Sequence, residues 1–158
     1  MNAKIKTLAT RKDKILIGRN EIVDFPDLGL MGIKAKIDTG AYSTAIHTHK
    51  IWTEIIDEKE VLFFKLFDPI HENYRRITIK TYKFFQKNVK SSNGKIEKRY
   101  VIKTPMVLGG KKRLTDLSLT NRGKMKFPVL VGRKFLSKGF LVDVSKAYIS
   151  QPLIEIKE

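Results

Sequence analysis

The sequence predicts an all-β fold in a single domain, and three features of the chain support this class. Short segments of apolar or alternating residues recur along the chain, no segment sustains a long helical period, and Gly, Pro and Asn turn signals separate the segments. This pattern favours a closed or sandwiched β architecture over an alternating α/β fold. A chain of 158 residues fits one domain, and a domain of this size buries about two-thirds of its unfolded surface.

The predicted strands follow one another at short intervals. In chain order they are residues 14–18, 21–25, 31–37, 44–48, 61–67, 77–85, 95–102, 106–108, 113–119, 127–131 and 140–144. We expect residues 1–12 to form a basic N-terminal tail, residues 13–150 to form the domain, and residues 151–158 to form a C-terminal extension. No internal repeat or low-complexity linker interrupts this plan.

The charge of the chain restricts its partners. Lys and Arg number 32 against 16 acidic residues, which gives a formal net charge of +16. Such a field attracts polyanions, so nucleic acid, a ribosome, an acidic protein tail or anionic lipid would fit. The alternative is a solvated basic surface, because the basic residues are scattered and the densest clusters, at 74–76 and 111–113, are short.

The cysteine content and the N-terminal sequence bear on chemistry and location, although the lack of cysteine does not by itself decide between cytoplasm and exterior. The chain has no cysteine, which excludes disulfides, zinc–thiolate sites and a cysteine nucleophile. Residues 1–12 lack the continuous apolar core of a secretion signal, and no apolar run approaches membrane-spanning length. We therefore expect a cytoplasmic protein without a membrane partner.

The most informative motif is the sequence Asp38-Thr39-Gly40-Ala41. It places a carboxylate, a hydroxyl and a glycine on a tight turn directly after the alternating segment 31–37, where a strand would display a catalytic group. Gly40 removes the Cβ where another backbone must come close. The alternative is an ordinary turn stabilised by an Asx or Ser/Thr side chain.

A second element near the other end of the chain accompanies this motif. Residues 127–136 combine an apolar run with Gly132 and Arg133, followed by a short helix-like turn. Residues 140–143 then supply another apolar strand. The pairing of an aspartate turn with an apolar-apolar-Gly segment is far more specific than either element alone.

With these motifs the chain resembles the bacterial retropepsin-like aspartic endopeptidases, which are often labelled ATP-dependent zinc proteases and often lie beside a RimK-type glutamate ligase. The resemblance covers residues 15–150. The matching segments are residues 34–41, 43–47, 89–94, 99–102, 119–122, 129–136 and 140–143.

This resemblance implies a retropepsin-like acid-protease β-barrel with few short helices. It also implies a homodimer with one Asp38 from each chain, because aspartic proteolysis uses two carboxylates and no second Asp-Thr/Ser-Gly occurs. By family analogy, Thr39 braces the two turns, Gly40 lies where the substrate backbone passes, and Ala41, Gly132 and Arg133 are structural neighbours of the site.

Two further expectations concern the surroundings of the motif. The sequence Ser91-Ser92-Asn93-Gly94 predicts a hairpin tip, since Asn-Gly between alternating segments is a strong hairpin signal. The family position makes this hairpin a flap over bound peptide, although a plain surface hairpin is the alternative. Viral retropepsins pair the Arg of the Gly-Arg element with an acidic residue, but this chain has Tyr42 there, so Arg133 needs another partner.

No cofactor is predicted, neither zinc nor ATP. The segment that begins at His71 has Arg75 in place of the second histidine of a zincin motif, and His47 with His49 fits an ordinary polar surface pair better than a zinc site. Residues 109–112 lack the spacing of a P-loop, and Gly-x-Ser-x-Gly is absent.

The leading functional hypothesis is an aspartic endopeptidase that acts on a peptide or protein substrate. An acidic tail, such as a glutamate-extended ribosomal protein, suits both the basic charge and the association of the family with glutamate ligases. The first alternative is a non-catalytic module that binds an acidic peptide or a glutamate ligase. The second is a ribosome- or RNA-associated factor, with aromatic residues such as Trp52 stacking on bases, although such residues are usually core in a β domain.

Overall fold

A computed structural model describes residues 14–90 and 93–150, and it confirms the all-β class. In chain order the elements are β1 (Ile15–Gly18), β2 (Asn20–Phe25), a 3-10 turn (Pro26–Leu28), β3 (Leu30–Ile37), β4 (Thr44–Ile56), β5 (Lys59–Leu66), β6 (Ile79–Thr81), β7 (Phe85–Lys90), β8 (Ile96–Leu108), β9 (Lys111–Thr120), β10 (Val129–Val131), α1 (Arg133–Leu136) and β11 (Phe140–Asp143). No helix within the described ranges has the length and apolar character needed to cross a membrane. The predicted tail (1–12) and extension (151–158) lie outside these ranges.

Six strands close into a ring in the order β10, β3, β2, β8, β9 and β4. The ring closes because β10 pairs in parallel with β3 on one side and antiparallel with β4 on the other. β5 and β6 extend the sheet beyond β4, and β7 pairs with β8 outside the ring. β1 and β11 form a separate parallel pair. Closure gives the ring strands backbone partners on both sides, which removes exposed sheet edges there.

The alternating sequence of β3 explains how this strand is oriented. Ile33, Ala35 and Ile37 are buried, whereas the lysines between them are exposed. The same core contains large, fully buried side chains from other parts of the chain, including Phe25, Phe64, Phe67, Met106, Leu108 and Leu117. Since Ile37 is anchored in this core, the residue after it leaves β3 at a fixed point.

The outer half of β4 differs from the sequence prediction. A strand was expected at 44–48, but β4 continues to Ile56 and forms a hairpin with β5. The hairpin turns at Asp57 and Glu58, which have φ angles of 50° and 65°. Two consecutive positive φ angles are typical of a type I′ turn, for which Asn-Gly and Asp-Gly are the usual signals. An Asp-Glu pair carries no such signal, so the hairpin was missed.

Two other strand predictions were also wrong in their bounds. The single strand expected at 77–85 is two strands, β6 and β7, and β7 continues to Lys90. Conversely, the two strands expected at 95–102 and 106–108 are one strand, β8, which passes through Pro105 opposite Leu114. Proline usually interrupts a strand because it lacks an N–H donor, and this explains the predicted break.

A buried carboxylate fastens the end of the described chain to β2. Glu21 is fully buried, and its oxygens accept hydrogen bonds from the backbone N–H groups of Gly18 at 3.0 Å and Ile149 at 2.9 Å. Ser150 adds its hydroxyl at 2.6 Å. Because these donors come from both Gly18 and residues 149–150, Glu21 holds the segment after β11 against the β1–β2 connection.

Candidate active site

Asp38 leaves the end of β3 in a tight turn that orients its carboxylate. The Asp38 N–H donates to the Val131 carbonyl at 2.9 Å, and the Asp38 carbonyl accepts from the Ala41 N–H at 3.3 Å. The Asp38 Oδ1 atom accepts a hydrogen bond from the Gly40 N–H at 2.9 Å. Thr39 and Gly40 are exposed in the single chain. The turn therefore presents an oriented carboxylate on an open face of the protomer.

Gly132 lies where the chain after β10 crosses this turn. A Cβ built on Gly132 would lie 2.5 Å from the Ser43 carbonyl oxygen and 2.6 Å from that of Tyr42. Both are backbone atoms, which no side-chain rotation can move aside. The next N–H group, of Arg133, donates to the Ala41 carbonyl at 2.8 Å. Only a residue without a side chain lets the two segments approach this closely.

Arg133 contacts two groups in place of the acidic residue that viral retropepsins have at the position of Tyr42. Its Nη1 atom donates to the Thr39 carbonyl at 3.0 Å, and its guanidinium carbon lies 6.0 Å from the centre of the Tyr42 ring. The Nζ atom of Lys87 lies 5.3 Å from the same ring centre. These distances are suitable for cation–π attraction. Tyr42 therefore tethers two cations beside the Asp38 turn, as a neutral substitute for a carboxylate.

The hairpin of β7 and β8 lies beside the Asp38 turn. Of the four residues predicted as a flap, Ser91 and Ser92 lie outside the described residues, whereas Asn93 and Gly94 belong to the turn, and Gly94 has a φ of 81°. A cavity of about 320 Å³ separates β7 from the residues that follow Asp38, and we call it the β7 cleft. Its lining includes Tyr42, Ser43, Asn88 and Val89.

Four cationic side chains also line the β7 cleft: Lys87, Lys90, Arg99 and Arg122. No acidic residue is among the described residues that line it. The Nε atoms of Arg99 and Arg122 are buried without a hydrogen-bond partner in the described part of the chain. Lys87 and Arg99 are direct cross-strand neighbours, and like charges in this position destabilise a sheet. Arg99 Nη2 reaches Glu97, which does not line the cleft, at 3.5 Å. The cleft therefore concentrates positive charge that is only partly compensated.

Arg122 connects this charge to the Asp38 turn. Burial lowers the pKa of Arg122, the charge of Arg99 lowers it further, and the carboxylate of Asp38 raises it. The guanidinium is thus close enough to both groups to interact with them. The sequence did not reveal this cluster, because its members are scattered between residues 87 and 122 and form no local basic run.

His47 supports the backbone of Arg122. Its Nδ1 atom accepts a hydrogen bond from the Arg122 N–H at 2.7 Å, so the proton is on Nε2, which donates to Asp68 Oδ1 at 2.8 Å. His49 Nδ1 lies 3.4 Å from the same oxygen. The interpretation of His47 and His49 as a surface pair is wrong for His47, which is 5% exposed. Both ring nitrogens of His47 are engaged, so it acts as a positioning residue for Arg122.

The described residues offer no evident metal ligand set. Within residues 14–90 and 93–150, no three His, Cys, Asp or Glu side chains are grouped so that they could hold a metal ion. The best local candidate, His47 with Asp68, uses both imidazole nitrogens in hydrogen bonds. A metal ion at Nε2 would displace the proton from that nitrogen, while Nδ1 must stay unprotonated to accept the Arg122 N–H. The imidazole would then carry no proton at all, which disfavours metal binding here.

The closed ring, the aspartate turn at a strand end and the Gly-containing segment that crosses it define a retropepsin-like domain. The family model described as retropepsin-like aspartic endopeptidase RimB matches residues 16–152. The chain therefore belongs to the RimB-like family.

Longer proteins and solved structures are also similar to this chain. A probable alpha-L-glutamate ligase of Shewanella halifaxensis is 39% identical over 138 residues, which are 86% of this chain and 30% of that protein. A probable alpha-L-glutamate ligase of Desulfotalea psychrophila is 34% identical over 131 residues, covering 82% of this chain and 28% of that protein. The chain thus spans less than a third of the length of these relatives. The crystal structure of a Legionella pneumophila protein of unknown function is 26% identical with a TM-score of 0.67, covering 86% of this chain and 98% of that one.

Proposed function

We propose that this protein is an aspartic endopeptidase that acts as a homodimer in the cytoplasm and cuts acidic, glutamate-rich protein segments. The proposal rests mainly on the Asp38 turn, which presents one oriented carboxylate on an exposed face. Beside it lies a cleft whose described lining residues include four cations and no acidic residue. A second carboxylate would then come from Asp38 of another copy, across a twofold axis.

The chemistry follows from two carboxylates that cannot both ionise easily at short distance and so share one proton. The ionised Asp38 takes a proton from a water molecule, whose oxygen adds to the scissile carbonyl carbon. The protonated Asp38 of the other chain donates its proton to the carbonyl oxygen. The tetrahedral intermediate then collapses as a proton passes to the amide nitrogen, the C–N bond breaks, and a carboxylic acid and an amine result.

The preference for acidic substrates is supported by the β7 cleft. Arg99 and Arg122 both line the cleft, and Lys87 lies directly across from Arg99. A bound Glu or Asp side chain would accept hydrogen bonds from the guanidinium groups that line the cleft and would offset the repulsion between these cations. The neutral tautomer of His47 holds the Arg122 backbone in place for this contact.

The experiment is the digestion of a peptide pool that includes glutamate-rich members, followed by mass spectrometry from acidic to neutral pH. Wild type should cut acidic members preferentially, and Asp38→Asn should abolish every cut. Arg122→Gln should lower kcat/KM for acidic peptides about 10- to 100-fold, the effect of losing one charged hydrogen bond. Lys98→Gln is the matched control, since Lys98 is an exposed neighbour of Arg99 on the other face of β8. Equal cutting of neutral and acidic peptides would refute the substrate preference.

A second candidate function is a non-catalytic module that binds an acidic peptide or a glutamate ligase. It is favoured by the relatives, in which a region similar to this chain makes up about 30% of a protein named as a probable alpha-L-glutamate ligase. Under this hypothesis, wild type and Asp38→Asn bind acidic peptides with the same affinity and neither turns them over. Ribosome or RNA binding is distinguished by a steep salt dependence of RNA affinity that is insensitive to Asp38.

A further inference from the structure

A second basic cavity lies outside the β7 cleft, between β8, β9 and α1. Its volume is about 190 Å³. Four cationic side chains line it, Lys103, Arg113, Lys134 and Lys138, and we call it the α1 cavity. This volume is large enough for a carboxylate or phosphate group together with part of the molecule to which the group is attached.

The charge of the α1 cavity is only partly compensated. Asp116 is the one acidic residue among the described residues that line it. The Nζ atom of Lys134 lies 2.6 Å from its carboxylate, and that of Lys103 lies 3.9 Å away. The hydrogen bond to Asp116 raises the pKa of Lys134. One carboxylate against four cations leaves a surplus of positive charge at Arg113 and Lys138.

Arg113 is the cation of this cavity whose hydrogen bonding is least satisfied among the described residues. Its Nη1 atom is buried and has no hydrogen-bond partner in the described part of the chain. Its Nη2 atom lies 3.4 Å from the position that a Cβ on Gly139 would occupy, and Lys111 Nζ also approaches that position. The absent side chain at Gly139 thus lets two cations converge. A buried guanidinium N–H without an acceptor is costly, and an oxyanion is the acceptor that its fork geometry fits best.

The α1 cavity lies close to the β7 cleft. A small cavity between them shares Ser43 and Lys87 with the cleft, and shares Asp116 and Lys134 with the α1 cavity. Lys87 Nζ contacts the Ser43 hydroxyl at 3.1 Å, which holds this lysine at the junction. Cationic side chains therefore follow one another from Arg122, through Lys87 and Lys134, to the α1 cavity.

We propose that the α1 cavity is an oxyanion-binding exosite, and that its occupant is a side-chain carboxylate of an acidic peptide that extends out of the β7 cleft. The assignment of this occupant rests on the proposed function, whereas the oxyanion chemistry rests on Arg113 and its neighbours alone. Arg113 forms the specific, paired hydrogen bonds with the carboxylate, and Lys138 adds a mobile charge at the solvent side. The exosite increases the affinity for long acidic segments and leaves the bond-breaking step unchanged.

The test measures binding of fluorescein-labelled decaglutamate to the 158-residue chain carrying Asp38→Asn, in which turnover does not interfere. Adding Arg113→Gln should weaken this binding about tenfold, and adding Lys138→Gln about threefold, both less at higher salt. Lys112→Gln is the control, because Lys112 is the exposed neighbour of Arg113 in β9 and should change the affinity less than twofold. If Arg113→Gln fails to fold, the exposed Lys138→Gln variant provides the same comparison.

Two further arms identify the occupant and its role. Inorganic phosphate should displace decaglutamate from the Asp38→Asn protein, and this displacement should weaken with Arg113→Gln. In otherwise wild-type protein, Arg113→Gln should raise KM for a long acidic substrate without changing kcat. For a short acidic substrate, both KM and kcat should stay unchanged. If Arg113→Gln weakens phosphate binding but not decaglutamate binding, the assignment to a carboxylate is overturned. If all variants bind decaglutamate with equal affinity, the exosite itself is overturned. Binding that depends on Arg113 without any cleavage by wild type would refute the peptidase function and support the exosite.

Discussion

Replacement of Gly132 by alanine should destabilise the protein more than the same replacement at a glycine whose added Cβ would meet no backbone atom. The added Cβ would lie 2.5 and 2.6 Å from two carbonyl oxygens, so the backbone of the Asp38 turn or of the Val129–Val131 strand must move. Overpacking of a core costs about 1–3 kcal/mol. Because the obstructing atoms are backbone, we expect the upper end, about 3 kcal/mol of unfolding free energy.

Gly110→Ala is the control for this prediction. Gly110 has a φ of 79° and no atom within 4 Å of its added Cβ, so only the left-handed backbone conformation is penalised, by about 1 kcal/mol. For a domain of this size, the melting temperature should fall by roughly 6–12 °C in Gly132→Ala and by roughly 2–4 °C in Gly110→Ala. Urea unfolding gives the free energies and calorimetry gives the temperatures. A loss in Gly132→Ala no larger than in Gly110→Ala would refute the proposed tight crossing.

Three other substitutions test separate contacts. Glu21→Gln should lower the free energy of unfolding by about 2 kcal/mol, because a buried acceptor of several N–H and O–H donors becomes an amide, and a change below about 0.5 kcal/mol in urea unfolding would contradict this. The hydrogen bond from His47 holds the pKa of Asp68 below its usual 3.8, so this carboxylate contributes stability that is complete above about pH 4 and is lost as the pH falls through the lowered pKa. The stability gap between wild type and Asp68→Asn should therefore narrow below about pH 4, and a gap independent of pH would argue against it. Arg133→Lys retains the charge but loses the fork that binds the Thr39 carbonyl, so amide hydrogen exchange at residues 38–41 should accelerate about tenfold by mass spectrometry, and unchanged exchange would exclude this role.

The parts of the fold that were predicted correctly have local causes. The alternation of β3 indicates which of its residues are buried, and a carboxylate followed by Thr39 and Gly40 marks the turn after it. The apolar run with Gly132 likewise contains its own signal, because a glycine that ends a buried strand indicates a close backbone approach. Each of these features depends on a few consecutive residues.

The parts that were missed depend on residues distant in sequence. The cationic cluster forms only when β7, β8 and the segment after β9 come together in the fold, since it consists of Lys87, Arg99 and Arg122. No run of basic residues in the sequence indicates this cluster. The contact between His47 and Asp68 likewise joins residues 21 positions apart. Because the turn between β4 and β5 has no glycine or asparagine, even that local hairpin gave no recognisable signal.

The central claim is that two chains supply one Asp38 each to a shared catalytic site. The most direct measurement mixes wild type with Asp38→Asn, lets the subunits exchange through unfolding and refolding at constant total protein, and follows cleavage of an acidic peptide as the fraction of wild type is varied. If both aspartates are needed, activity follows the square of that fraction, so an equal mixture retains about one quarter of the wild-type rate. An equal mixture that retains about one half, with activity proportional to the wild-type fraction, would show that each chain acts alone and would contradict the shared dyad.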